Sequence, residues 1–266
     1  MNIKTALLVL SCDSYSDLWP QMIKSFDNYW IDCPYDKYFV TNFKSIPKST
    51  FNQISVGKDK SWSHGLIIAL NKIKHEYNYV LLTLEDLPLV KSVDTEKFKQ
   101  ITTEFYKTNG NYLKFIRKPR PTKKYNKYFG IIEPGSLYRP TCVYALWKIE
   151  TLLSLLKEEE NAWQFERFGA IRSDKIDKFF VVYTNFFSVI NTVVKGKWVK
   201  KELRKSLKLG LITDSERPVL RQVDEFKLKI YTDIFNVFTG LVPWKHQRKL
   251  VFRIKGYDRK HNNTDL

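Results

Sequence analysis

The sequence predicts an α/β fold, an open and mostly parallel central sheet flanked by helices, followed by a basic helical C-terminal segment. Three observations carry this. Residues 79–84 are almost wholly apolar, as a central parallel strand covered on both faces requires. They run into two adjacent carboxylates, Glu85 and Asp86, and Pro88 then prevents the strand from continuing. Strand-like and helix-like segments alternate through the first half, the pattern of parallel strands joined by right-handed crossovers. With 266 residues, 43% of them hydrophobic and 15% aromatic, the chain can bury one large core and is not a disordered polymer.

The elements follow in order. Residues 4–10 are apolar but short for a secretory signal; they end in Ser11-Cys12-Asp13 without a small-residue cleavage site, and so read as the first strand. Leu18, Met22, Ile23, Phe26 and Trp30 fall at helical spacing behind Ser16-Asp17, an N-cap pair. Residues 38–41 make a short second strand, and Trp62, Leu66, Leu70 and Ile73 form a helical stripe behind Ser61. Asp94 opens a helix with Phe98, Ile101 and Phe105 on one face. Residues 112–116 are the next strand. A basic loop over residues 117–124, broken by Pro119 and Pro121, is expected to be exposed and mobile. Beyond it, 136–147 has strand-like residues, 149–156 is helical, 162–171 is a short helix starting near Asn161, and 179–183 is a strand. The chain divides at residue 200, with 201–266 as the C-terminal extension.

Charge is uneven. The net charge is +17, and from Lys195 onward 18 Lys and Arg against 8 Asp and Glu give +10, leaving +7 for the rest. The apolar series Phe226, Ile230, Ile234, Phe235, Phe238, Leu241, Val242 and Trp244 is followed by Lys245, Arg248, Lys249, Arg253 and Lys255. That combination suits a helix lying in an anionic membrane interface, with each basic residue contributing about 1 kcal/mol. The ordinary rival is a terminal helix with a solvated basic face. No nucleic-acid motif accompanies the charge, so no nucleic-acid partner is expected. Cys12, Cys33 and Cys142 are odd in number and form no C-x-x-C pattern, which argues against a disulfide framework or zinc site and fits a reducing cytoplasm. No apolar run approaches the roughly 20 residues of a membrane span. The expected location is cytoplasmic, peripheral at the inner membrane face.

Candidate chemistry centres on the acidic pair, because ligands of open α/β sheets bind at the carboxyl ends of the strands. His64 and His75 lack metal-ligand spacing. No G-x-S-x-G, P-loop or G-x-G-x-x-G occurs, which argues against hydrolase, nucleotide-triphosphatase and dinucleotide readings. The runs Leu8-Val9-Leu10-Ser11-Cys12-Asp13-Ser14-Tyr15-Ser16-Asp17-Leu18-Trp19, Phe39-Val40-Thr41-Asn42, Ser61-Trp62-Ser63, Leu84-Glu85-Asp86 and Ala162-Trp163-Gln164-Phe165-Glu166 together resemble bacterial GT-A-type glycosyltransferases of surface-polysaccharide (capsule or lipopolysaccharide) biosynthesis. The resemblance covers roughly residues 4–200.

It implies a GT-A-like domain over residues 1–200 that takes a nucleotide-sugar donor and a lipid-linked or oligosaccharide acceptor. Ser11, Asp13, Trp62, Glu85 and Asp86 are the implied donor-binding residues. Glu85-Asp86 stands where the family's acidic motif holds ribose and a divalent ion, with Leu84 in place of the first aspartate of Asp-x-Asp. Asp86 is then the ligand of Mg²⁺ or Mn²⁺, hard cations that bridge carboxylate and phosphate oxygens. Without a metal, Arg117, Lys118, Arg120 or Arg172 would neutralise the diphosphate. Glu166 is the implied general base of an inverting transfer, and Trp163 offers a face to a sugar ring.

Each residue has an ordinary rival. Asp13 would serve as a turn cap, Glu85-Asp86 as a solvated turn, Glu166 as an ion-pair partner of Arg167 or Arg172, and Trp62, Trp163 and Trp198 as core. The alternative enzyme is a sugar nucleotidyltransferase, although residues 11–17 lack the glycine-rich loop that would favour it. The alternative of another class is a noncatalytic basic membrane or nucleic-acid adaptor.

Overall fold

A computed structural model describes residues 3–255; Met1, Asn2 and residues 256–266 of the C-terminal extension lie outside the described residues. The chain runs β1 (Thr5–Leu10), a 3-10 turn (Asp13–Leu18), α1 (Trp19–Tyr29), β2 (Asp36–Thr41), β3 (Asn52–Ser55), α2 (Trp62–Ile73), β4 (Tyr79–Leu84), α3 (Thr95–Lys107) and β5 (Tyr112–Lys114). It continues through β6 (Lys123–Lys124), β7 (Phe129–Ile131), β8 (Ala145–Lys148), α4 (Ile149–Leu155), α5 (Ala162–Arg172), β9 (Phe179–Val182), β10 (Val193–Val194), β11 (Lys197–Trp198), α6 (Lys200–Lys208), α7 (Gln222–Leu241) and α8 (Trp244–Lys255).

Nine strands form one sheet in the order β3-β2-β1-β4-β8-β5-β9-β7-β6. Seven point the same way; only β7 and β8 are reversed. The α/β class with a mostly parallel sheet is therefore the observed architecture. β8 corrects the simple alternation, because it is wedged antiparallel between β4 and β5. A strand buried on both faces has the same apolar pattern in either direction, so its residues do not encode its polarity. β1 shows that double burial. Leu8 and Leu10 pack on one side with Leu66, Leu82 and Trp147, while Leu7 and Val9 pack on the other with Phe26, Phe39 and Phe98.

Helix starts are set by side-chain caps. Ser61 accepts from the His64 amide, Asp94 from the Lys97 amide, and Asn161 with Gln164 forms a reciprocal capping box. Ser16-Asp17 is not a cap. A 3-10 turn occupies Asp13–Leu18, α1 begins at Trp19 with Pro20 in its first turn, and Asp17 instead binds Arg217. Of 136–147, only the end becomes strand. The bends before it are held by buried Arg139, which donates to the carbonyls of Ile132, Ser173 and Ile176. The basic loop is also less free than expected, since Lys123–Lys124 pairs with β7 as the last strand of the sheet.

Candidate functional site

The topology brings several chain segments to one edge of the sheet. β1 and β4 are parallel with Leu10 opposite Leu84, so Ser11-Cys12 and Glu85-Asp86 leave the sheet side by side. Helices that precede parallel strands begin at the strands' carboxyl edge, which puts the starts of α2 and α5 there. Reversed β8 begins at this edge too, which brings Cys142 in. The result is a cleft of about 1400 Å³ lined by Ser11, Trp62, Glu85, Asp86, Trp163 and Glu166, among others.

Five of the six residues nominated from the sequence as donor-binding or catalytic, Ser11, Trp62, Glu85, Asp86 and Glu166, meet in this cleft. Asp13 does not line it. Its carboxylate accepts the backbone amides of Asn42 (3.1 Å), Phe43 (3.0 Å) and Lys44 (3.1 Å), and its own amide donates to the Asn42 side chain. Asp13 thus ties the loop after β1 to the loop after β2, close to the turn role that was its ordinary rival.

The acidic pair is held under electrostatic stress. Glu85 is buried, and burial together with the neighbouring Asp86 carboxylate pushes its acid well above the usual range. Burial raises Asp86 to about 6, partly offset by its own backbone amide and by nearby Arg217. No cation approaches either carboxylate within ion-pair distance among the described residues. The Asp86 carbonyl is fixed by Thr192, whose amide and hydroxyl both donate to it at 2.9 Å. Arg217 stacks over the Tyr15 ring at 4.5 Å and donates to Asp17, Ser14 and Gly196, locking the segment before α7 against the 3-10 turn.

Glu166 lines the same cleft. Its Oε1 accepts the Cys142 amide at 3.1 Å. Burial raises its acid, and the ammonium of Lys114 partly offsets that. Lys114 is itself buried and pushed down to about 8. Arg172 is not the ion-pair partner the rival reading needed, since it clamps Glu160 with contacts of 2.7 and 2.5 Å, while the charge of Arg167 joins Lys114 in lowering the Glu166 acid. Trp62 leans on Phe165 with centroids 5.9 Å apart, and its buried indole N–H has no acceptor among the described protein groups. Trp163 is 67% exposed at the cleft wall, whereas Trp198 is core. His64 is structural, its Nδ1 accepting the Lys60 amide. Among the described residues, no cluster of three or more His, Cys, Asp or Glu converges as a metal site.

The cations are not the ones nominated. Arg117, Lys118, Arg120 and Arg172 do not line the cleft, whereas Lys60, Lys195, Lys197, Lys227 and Lys255 do. Lys195 and Lys197 sit on the β10–β11 hairpin, where Lys195 and Gly196 both have positive φ (51° and 74°), the signature of a two-residue turn matched to strand twist. The run Val193-Val194-Lys195-Gly196-Lys197-Trp198 was the available signal. Each strand is only two residues long, too short for any periodicity to register.

No protein-family model matches this chain, and no curated protein sequence does. Solved structures match in shape. S. aureus TarS is 10% identical with a TM-score of 0.47 over 73% of this chain and 37% of that one. A197 from STIV is 10% identical with a TM-score of 0.41 over 75% and 91%. Residues 1–349 of TarS are 12% identical with a TM-score of 0.50 over 70% and 59%. The chain spans 37% and 59% of the two TarS chains, less than two thirds of either, and at these identities what it shares with TarS 1–349 is the α/β fold.

Proposed function

We propose that this chain is a GT-A-type glycosyltransferase that moves a sugar from a nucleotide-sugar donor to a lipid-linked or oligosaccharide acceptor in surface-polysaccharide synthesis. One observation carries the reading: residues from four separate segments, Ser11, Trp62, Glu85-Asp86 and Glu166, line a single cleft at the carboxyl edge of β1 and β4. TarS, whose fold the chain shares, is a teichoic acid glycosyltransferase, which supports the same direction.

In this reading the donor's diphosphate rests by Glu85 and Asp86. Two adjacent, desolvated carboxylates without an ion-pair partner among the described residues fit a hard divalent cation, which takes one or two carboxylates plus phosphate oxygens. Asp86 would be the ligand, with Mg²⁺ or Mn²⁺ supplying charge neutralisation of the leaving diphosphate. Lys195 and Lys197 place two further cations on the same cleft. Glu166 takes the proton of the acceptor hydroxyl as its oxygen bonds to the sugar carbon and the bond to the diphosphate breaks, with inversion at that carbon. The raised acid of Glu166 makes it a stronger base once ionised, and the Lys114 ammonium partly offsets that rise. The free cysteines Cys12, Cys33 and Cys142 suit a reducing cytoplasm, where the donor would be met.

A thermal-shift screen of UDP, GDP, CMP and dTDP sugars, with and without Mn²⁺, tests this. One nucleotide series should stabilise the protein, and Glu85→Gln/Asp86→Asn should abolish the shift. A flat response to every donor under both conditions rejects the proposal.

A further inference from the structure

We propose that α7 and α8 form a docking surface for an anionic lipid bilayer, lying in its interface and not crossing it. The proposal goes beyond glycosyl transfer and depends on it only for what the membrane would deliver. α7 is 20 residues long and contains no buried residue. Its body side makes contact through aromatic groups: Phe235 meets Tyr138 at 6.1 Å and the Lys118 ammonium at 5.0 Å, and Tyr231 lines the cleft. The other side is uncovered. Val223, Phe226, Ile230, Ile234, Val237 and Leu241 follow one another at intervals of three and four, so they make a single stripe along one helix face, and they are 42–79% exposed. Six large apolar side chains in a row facing solvent exceed the scattered exposure of a monomeric soluble surface.

Charge selects the occupant. α8 buries Gln247, Val251 and Phe252 and is fixed to the body by Arg248 on Asp174, but it leaves Lys245, Lys249 and Arg253 exposed at successive four-residue steps. Exposed Leu250 and Ile254 lie beside that basic row. Lys227 and Lys229 flank the α7 stripe, and from Arg221 to Lys255 eight basic residues face the three acids Asp224, Glu225 and Asp233, a surplus of +5. An apolar stripe bordered by lysines and arginines is complementary to acyl chains beneath anionic headgroups. Among the described residues no helix is long and apolar enough to cross a membrane, which leaves the in-plane arrangement. Because Asp224, Lys227, Leu228 and Tyr231 of the same helix wall the cleft, docking would hold the cleft mouth beside the bilayer, where a lipid-linked hydroxyl can enter.

The experiment is flotation of the full chain with phosphatidylcholine vesicles, with and without phosphatidylglycerol, at physiological salt. Binding is expected only with phosphatidylglycerol. Ile234→Glu/Val237→Glu should weaken it about 100-fold or more by putting two charges in the apolar stripe. Lys245→Glu/Lys249→Glu/Arg253→Glu should weaken it about 100-fold or more by reversing the basic row. Both sets are exposed, so melting temperature and donor-induced thermal shift should not move, and either reading can fail without the other. No flotation of the wild type, equal binding to neutral vesicles, or undiminished binding of Ile234→Glu/Val237→Glu would overturn the proposal. So would a wild-type dimer in sedimentation velocity that the Ile234→Glu/Val237→Glu change dissolves, since a second copy would then cover the stripe.

Discussion

Two parts of the cleft lining are built on opposite terms. The floor is made of Ser11, Glu85 and Asp86, set on strand ends whose residues are buried on both faces of a nine-stranded sheet, and its carboxylates are held against the cost of burial. Another part of the lining is a lysine hairpin of two-residue strands and a helix with no buried residue at all. The difference teaches where a fold can keep reactive groups. Perturbed acids need neighbours that cannot move away, so they sit where the core is thickest, while cationic and apolar surfaces that meet a large ligand sit where their presence costs the fold little.

The largest expected effect lies in the deep, buried part of the cleft. Glu166→Gln should lower kcat by two or more orders of magnitude while leaving the donor KM nearly unchanged, because the amide keeps the contact to the Cys142 amide but cannot accept the acceptor's proton. Unchanged turnover would remove Glu166 from the reaction and leave the contrast purely structural.

Asp86→Asn separates function from stability on the floor. Asp86 has its acid raised from 3.8 to about 6, so the folded state binds its proton more tightly than the unfolded chain does. The stability this contributes is complete below about pH 4 and is lost as pH rises through 6, by at most about 3 kcal/mol. The wild type should therefore melt lower at pH 7.5 than at pH 5 in part because of this group. Asp86→Asn should raise the melting temperature at pH 7.5 and weaken donor binding at the same time. A variant that loses stability at pH 7.5 would show that the floor is not under strain. In the hairpin, Lys195→Ala and Lys197→Ala should each weaken donor binding about tenfold, the scale of one charged hydrogen bond, with no change in melting temperature. A melting shift there would erase the contrast between the two parts.

What the residues disclosed in advance follows the same division. β1 and β4 were legible because continuous burial leaves an unbroken apolar run, and α2, α3 and α5 because a cap precedes a 3.6-residue stripe. Glu85-Asp86 was legible because carboxylates end such a run. Asp13 was not, since a carboxylate after a strand can face a ligand or its own backbone, and only the path of Phe43 and Lys44 decides. β3, with the sequence Asn52-Gln53-Ile54-Ser55, is a sheet edge whose polar residues do not look like strand. The clamp of Arg139 on three carbonyls joins residues up to 37 positions apart, which no local pattern announces.

The smallest effect should come from behind the base. Lys114 is buried on β5, and its ammonium is the largest of the influences, with the Cys142 amide and Arg167, that pull the Glu166 acid down while burial pushes it up. At pH 7 Lys114 still holds its proton, because burial lowers it only to about 8. Lys114→Met keeps the apolar stem and removes the charge, so the Glu166 acid should climb further and the acid limb of kcat/KM should move to higher pH by about one unit, the size expected for losing one nearby charge. The plateau rate above that limb should fall little, since the base is ionised there in both proteins. A loss of plateau rate with an unmoved limb would mean that Lys114 supports the strand and not the carboxylate. The contrast between a strained interior and an unburdened wall would then rest on Glu85 and Asp86 alone.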